Sequence, residues 1–112
     1  MSNEMEVVQS ESIEVKLFIA GDAVSADIII RKYCKDVGLC VTVTPTKYIY
    51  TGGAEDGMEI GFINYPRFPD TLAGIVDKAT ELGMILMEAL SQWSFTVVGP
   101  YTSKYYTVRG KK

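Results

Sequence analysis

The chain has no histidine in its 112 residues. That absence excludes any nucleophile system in which an imidazole activates serine or cysteine. Cysteine is nearly absent too: Cys34 and Cys40 form no CxxC pair. The ligand sets of ordinary zinc sites therefore cannot be built, and no metal or cofactor is expected. Both cysteines read as small buried apolar residues rather than a disulfide or reactive pair. Basic excess is missing as well. Eleven Lys and Arg stand against 14 Asp and Glu, a formal net charge of −3. Broad binding to a phosphate backbone, which needs a concentrated basic surface, is not expected. No apolar run approaches the ~20 residues of a membrane span. The opening stretch MSNEMEVVQSESIEV has no apolar core of a signal peptide. The expected location is the cytoplasm.

Hydrophobic residues make up 47% of the chain and charged residues 22%, the composition of a folded domain with a real core. At this length one domain is expected. The reading divides the chain into an acidic, flexible segment at 1–11, one α+β domain at 12–110, and a basic tail at 111–112.

Along the chain, EVKLFIA at 14–20 is a compact apolar strand. Asp22 or Ser25 can cap a helix. Ala26, Ile29, Ile30, Tyr33, Cys34 and Val37 recur at helical spacing on one face. Gly38 suits a left-handed helix end. CVTVT at 40–44 reads as a strand interrupted by Pro45, which demands an edge position or a bulge. The strand resumes at Tyr48–Tyr50 and returns at 58–64 after a loop of five to seven residues. Pro66 and Pro69 break regular structure. Asp70 or Thr71 caps a second helix whose apolar stripe runs to about residue 92. Short strands at 95–98 and 105–109 complete the pattern. This is an α+β fold of ferredoxin-like type: a β-α-β-β-α-β antiparallel sheet with both helices on one face and an extra C-terminal strand.

Three segments stand out against this background. Asn64-Tyr65-Pro66-Arg67-Phe68-Pro69 presents one arginine between two aromatics on a proline-stiffened loop at a helix N-terminus. Arg67 is suited to a carboxylate or phosphate, Tyr65 and Phe68 to stacking, and Asn64 to polar reading. The same residues can instead pin the loop to the core. Thr51 to Gly57 lacks the lysine of a phosphate loop and the spacing of a calcium loop, so it reads as a solvated hairpin tip. Tyr48 and Tyr50 alternate onto one sheet face, able to stack bases or to be buried in a homodimer. No catalytic constellation appears. Glu59 is the sole acid at a predicted strand centre, and no second acid is linked to it.

The stretch RKYCKDVGLCVTV-PT-YIYTGG followed by G-INYPRFP, with Val97-Val98-Gly99-Pro100-Tyr101-Thr102 after the long helix, resembles a family of small uncharacterised α+β proteins of tailed phages and prophages. The resemblance covers about residues 14–109. It implies a protein made in the host bacterial cytoplasm and acting by binding.

The combined expectation is a non-enzymatic binding protein, a homodimer that engages a host protein or a small anionic ligand. Its surface would comprise Asn64, Tyr65, Arg67, Phe68, Tyr48 and Tyr50. Two alternatives stand beside it: an anti-defence protein that sequesters or cleaves a nucleotide, and a virion or scaffold component.

Overall fold

The computed structural model describes residues 4–108. The basic tail at 111–112 and Arg109 of the expected last strand lie outside the described residues. The elements are β1 (Glu14–Ala20), α1 (Ala23–Val37), β2 (Thr42–Tyr50), β3 (Gly53–Ile63), α2 (Leu72–Ala89), β4 (Ser94–Val98) and β5 (Ser103–Thr107). The strands form one sheet in the order β2-β3-β1-β4-β5, and every pairing is antiparallel. This is the expected ferredoxin-like α+β arrangement with a fifth strand at one edge.

Alternation along the strands decides which face is covered. Val15, Leu17 and Ile19 of β1, and Met58, Ile60 and Phe62 of β3, are at most 2% exposed and meet the helices. The residues between them, including Lys16, Phe18 and Glu59, point to the other face. From α2, the stripe Ile75, Ala79, Leu82 and Leu86 closes the core at 0–4% exposure. Burying each large side chain contributes about 1.5–3 kcal/mol. Between the helices, the Tyr33 hydroxyl donates to Glu81 Oε1 at 2.7 Å. Burial of the Tyr33 phenol and its contact with that carboxylate raise its pKa well above the ordinary tyrosine range.

The helix ends follow their capping chemistry. The Asp22 carboxylate accepts from the Ser25 amide at 2.9 Å, and Gly38 adopts φ 78° with its N–H donating to the Cys34 carbonyl. Thr71 caps α2 by accepting from the Gly74 amide at 3.0 Å. The helix stops at Ala89 rather than near 92, because Ser91 turns left-handed at φ 56°. That turn is carried by a serine, a residue with no strong preference for it.

Three other expectations change. Strand β2 runs unbroken through Pro45, which pairs in register with Met58. The proline is tolerated because β2 is an edge strand. The hairpin turn is only Thr51-Gly52, since Tyr50 already faces Gly53 and Gly52 takes φ 91°. Residues 53–57, expected as loop, therefore extend β3. Cys34 is only partly buried and Cys40 is exposed, both as free thiols, because β2 begins beyond Cys40.

Strand β1 pairs with β3 only as far as Gly57. Beyond that row the Gly21 amide still donates to the Asp56 carbonyl at 2.9 Å, and from there β2 and β3 continue as a two-stranded arm carrying Tyr48 and Tyr50. A lone two-stranded arm has little stability of its own.

Helix α2 lies close to the sheet at Gly83, where an added Cβ would stand well inside van der Waals contact with the edge of the Phe95 ring. Gly83→Ala should therefore destabilise the protein despite alanine's better helix propensity. Overpacking of about 1–3 kcal/mol outweighs a propensity gain of about 1 kcal/mol. A melting temperature lower by several degrees is expected in a thermal scan. An unchanged or raised value would show that the interface is looser than this.

Candidate functional site

The residues singled out in the sequence fall into two places. Tyr65, Phe68 and Pro69 line a crevice of ≈ 570 Å³, with Leu39, Cys40 and Lys78 on its other walls. Tyr48 and Tyr50 line a different cavity of ≈ 190 Å³ on the open sheet face, with Phe18, Ala20, Glu55 and Thr96. Tyr48 lies six positions along β2 from Thr42 at the crevice end of the strand, about 20 Å at ~3.3 Å per residue. The six candidates do not form one surface.

The Asn64–Pro69 segment is first of all a well-made joint. Pro66 occupies the second position of a tight turn that closes when the Phe68 amide donates to the Tyr65 carbonyl at 2.8 Å. Asn64 is buried, and its hydrogen bonds are all internal. Its amide N–H donates to the Ile13 carbonyl at 2.9 Å, its Nδ2 to the Glu11 carbonyl at 2.7 Å, and its Oδ1 accepts from the Asp70 amide at 2.8 Å. Asn64 therefore ties the N-terminal segment to the start of α2, and its side chain is not presented to a ligand. Residues 11–13, of which the first was expected in the flexible segment, are tethered by these bonds. Arg67 is exposed, with its guanidinium 5.5 Å from the Phe68 ring centre. The Tyr65 and Phe68 rings lie 6.1 Å apart and tilted by 40°. Lys78 pairs with Asp70 at 2.7 Å. That hydrogen bond leads the causes that hold the Asp70 pKa below the usual value.

The open sheet face has a different character. The strand registers align Thr44, Glu59, Phe18 and Thr96 in one row across the sheet. The neighbouring row carries Gly61 and Lys16, and the row on the other side carries Gly57 and Ala20. Small residues thus floor a shallow basin. At Gly57 the approach is tight: a Cβ there would stand 2.5 Å from both the Ile19 carbonyl oxygen and Tyr48 Cε2. Lacking a side chain, Gly57 lets the Tyr48 ring lie down across the sheet. Its hydroxyl then reaches the Met58 carbonyl and donates at 2.6 Å. Burial raises the Tyr48 pKa. A backbone hydrogen bond from Ile19 opposes that shift, and the nearby Glu59 charge adds to it. The Tyr48 phenol thus keeps its proton at neutral pH, where it donates to the Met58 carbonyl.

Glu59 lies beside this ring. Its Oε1 pairs with Lys16 Nζ at 3.1 Å, with side-chain exposures of 30% for Glu59 and 47% for Lys16. Among the described residues this is the ion pair on the open face; Asp27–Arg31 and Asp36–Lys32 brace successive turns of α1. The basin therefore offers aromatic walls, a small-residue floor and a partly covered carboxylate–ammonium pair. The sequence reading noted Glu59 but left it unconnected, and it missed Lys16. The available signal was position. A lysine and a glutamate at outward sites of two strands can meet if those strands are neighbours, which a ferredoxin-like order requires of β1 and β3.

No family model matches the chain, and no curated protein matches it. Two solved structures share its fold. A phage SAM lyase in complex with S-methyl-5'-thioadenosine superposes with a TM-score of 0.68 at 15% identity, covering 98% of this chain and 100% of that one. A phage SAM lyase in its apo state gives a TM-score of 0.69, also at 15% identity and with the same coverage. These similarities overturn the expectation of a non-enzymatic binding protein, since the architecture matched end to end is that of an enzyme. The error has a clear origin. Missing histidine removes Ser–His and Cys–His nucleophiles, but it does not exclude enzymes that work without them.

The raised pKa of Tyr48 has a measurable sign. The folded state resists losing this proton, so the contribution is fully present below the ordinary tyrosine value of about 10 and is lost as pH rises beyond it. Stability should fall through that alkaline range, and less steeply in Tyr48→Phe, when melting temperature is followed against pH. Identical slopes in both proteins would mean that the phenol is as free in the folded chain as in the unfolded one.

Proposed function

We propose that this protein is a lyase that cleaves S-adenosylmethionine (SAM) and releases S-methyl-5'-thioadenosine, acting in the cytoplasm of a phage-infected bacterium. The supporting observation is the end-to-end fold match to a phage SAM lyase. The open basin agrees with it. SAM carries a sulfonium, an ammonium and one carboxylate, a net positive charge. An acidic chain with Glu59 and Glu55 at the basin suits such a ligand better than the small anion expected from the sequence. Of the sequence alternatives, the anti-defence protein that sequesters or cleaves a nucleotide comes nearest, with a nucleoside sulfonium in place of the nucleotide.

Releasing S-methyl-5'-thioadenosine means breaking the bond between sulfur and the γ-carbon of the methionine arm. The leaving group is a neutral thioether, so no acid is needed at sulfur. A strong base to pull a β-proton would be hard to build from these side chains. The substrate's own carboxylate can instead attack the γ-carbon, closing a five-membered lactone while the electron pair of the broken bond passes to sulfur. Atoms and charge balance without any added group. This step consumes one negative and one positive charge, so it is favoured where water is excluded, and it depends on holding the arm folded for attack. In this reading the adenosine lies in the cavity of Tyr48, Tyr50 and Phe18, and the arm runs along the basin past Glu59.

The cavity of ≈ 190 Å³ is smaller than typical small-molecule sites of about 300–1,000 Å³. One chain therefore encloses only part of this ligand. The expected homo-oligomer fits here, with a second copy covering the open face and the projecting arm to exclude water.

The test is to incubate purified protein with SAM and assay S-methyl-5'-thioadenosine by chromatography. Wild type should form it. Glu59→Gln should lose on the order of 10- to 100-fold in kcat/KM, the scale of one charge-assisted hydrogen bond. Arg67→Ala, at the other end of the molecule, should leave turnover unchanged. No product from the wild type, or full activity in Glu59→Gln with loss in Arg67→Ala, would overturn the assignment.

A further inference from the structure

We infer that Lys16 and Glu59 form a charge clamp for the amino-acid end of the substrate, with Lys16 as the specificity residue that reads the α-carboxylate and Glu59 taking the ammonium. The inference rests on the lyase reading and adds a residue to it. Three observations support it. Lys16 and Glu59 sit on adjacent strands, offset by one outward position, with Nζ and Oε1 3.1 Å apart. An α-amino acid presents its ammonium and carboxylate on one carbon, so its charges complement such a pair in reversed order. A zwitterion inserted between them exchanges one ion pair for two. The pair is also inexpensive to open, because partly exposed ion pairs contribute about 0–1 kcal/mol.

The surroundings favour this use over a purely structural one. Gly61 stands directly across from Lys16, and Phe18 directly across from Glu59, so no bulky side chain covers the lysine from the β3 side. Phe18 also walls the aromatic cavity. Glu59 thus lies at the edge of the cavity, across from Phe18, and Lys16 stands two residues along β1 from Phe18, about 7 Å in an extended strand. That spacing suits a nucleoside in the cavity with a four-carbon arm reaching toward the clamp. A carboxylate has two oxygens, so one can rest on Lys16 while the other faces the γ-carbon.

Three ligands separate the roles: SAM, its analogue lacking the α-carboxylate, and S-methyl-5'-thioadenosine, which lacks the whole arm. Lys16→Gln should raise KM for SAM by on the order of tenfold or more, with a smaller change in kcat. Affinity for the decarboxylated analogue and for S-methyl-5'-thioadenosine, measured by titration calorimetry, should stay within a fewfold of wild type. Lys16→Arg should restore most of the SAM affinity. Unchanged KM for SAM in Lys16→Gln would overturn the clamp. So would equal losses for all three ligands, which would mark Lys16 as a structural residue. If wild type binds SAM without cleaving it, the lyase reading fails while the same titrations still decide the clamp. If wild type does not bind SAM, both fail.

Discussion

At Gly57, strand β1 ends and the β2–β3 hairpin goes on without it. The missing side chain lets a tyrosine from the edge strand lie flat over the junction and hydrogen-bond to the backbone beneath. Any larger residue would collide with the Ile19 carbonyl as well as with the ring. Much of the open face depends on that close approach. It gives the basin an aromatic wall and brings the Tyr48 phenol under the influence of Glu59. It also anchors the base of an arm that would otherwise have few tertiary contacts.

The one-sided placement of the helices complements this. Because α1 and α2 both cover the same face, every second residue of β1, β3 and β4 is left outward. A sheet open on one side usually carries polar residues there. Here the outward set is mixed: Phe18, Ile63 and Val98 stand among glycines, Ser94 and Thr96, with Glu14, Glu55 and the paired Lys16 and Glu59. Such a face is shallow, and shallow faces become sites when something covers them. Under the function proposed above, a second copy over the arm and the open sheet is what would turn the basin into an enclosed pocket.

Much of the fold was legible in the sequence because the signals were local and mutually consistent. Strand β1 matches its expected bounds, Asp22 and Gly38 cap α1 as their chemistry requires, and the helix stripes face the core. The hairpin was misjudged because Gly53 and Gly57 look like turn residues. In fact one is a strand end beside the turn, and the other makes room for Tyr48. The site was less legible for a related reason. Asn64 to Pro69 drew attention by its composition, yet Asn64 is consumed by internal hydrogen bonds, and the segment lies far from the tyrosines of the arm. Glu59 and Lys16 are 43 residues apart in sequence and gain meaning only once β1 is seated next to β3. The absence of histidine was given too much weight, since it removes one kind of nucleophile and not enzymes as a class.

The most direct test of the open-face site is a crystal structure of the protein grown with S-methyl-5'-thioadenosine. The account predicts the adenosine on the open sheet face, against Phe18 and Ala20 and beside Tyr48, with its methylthio end directed toward Glu59. Adenosine bound instead in the crevice of Tyr65 and Phe68, or on the helix layer, would contradict it.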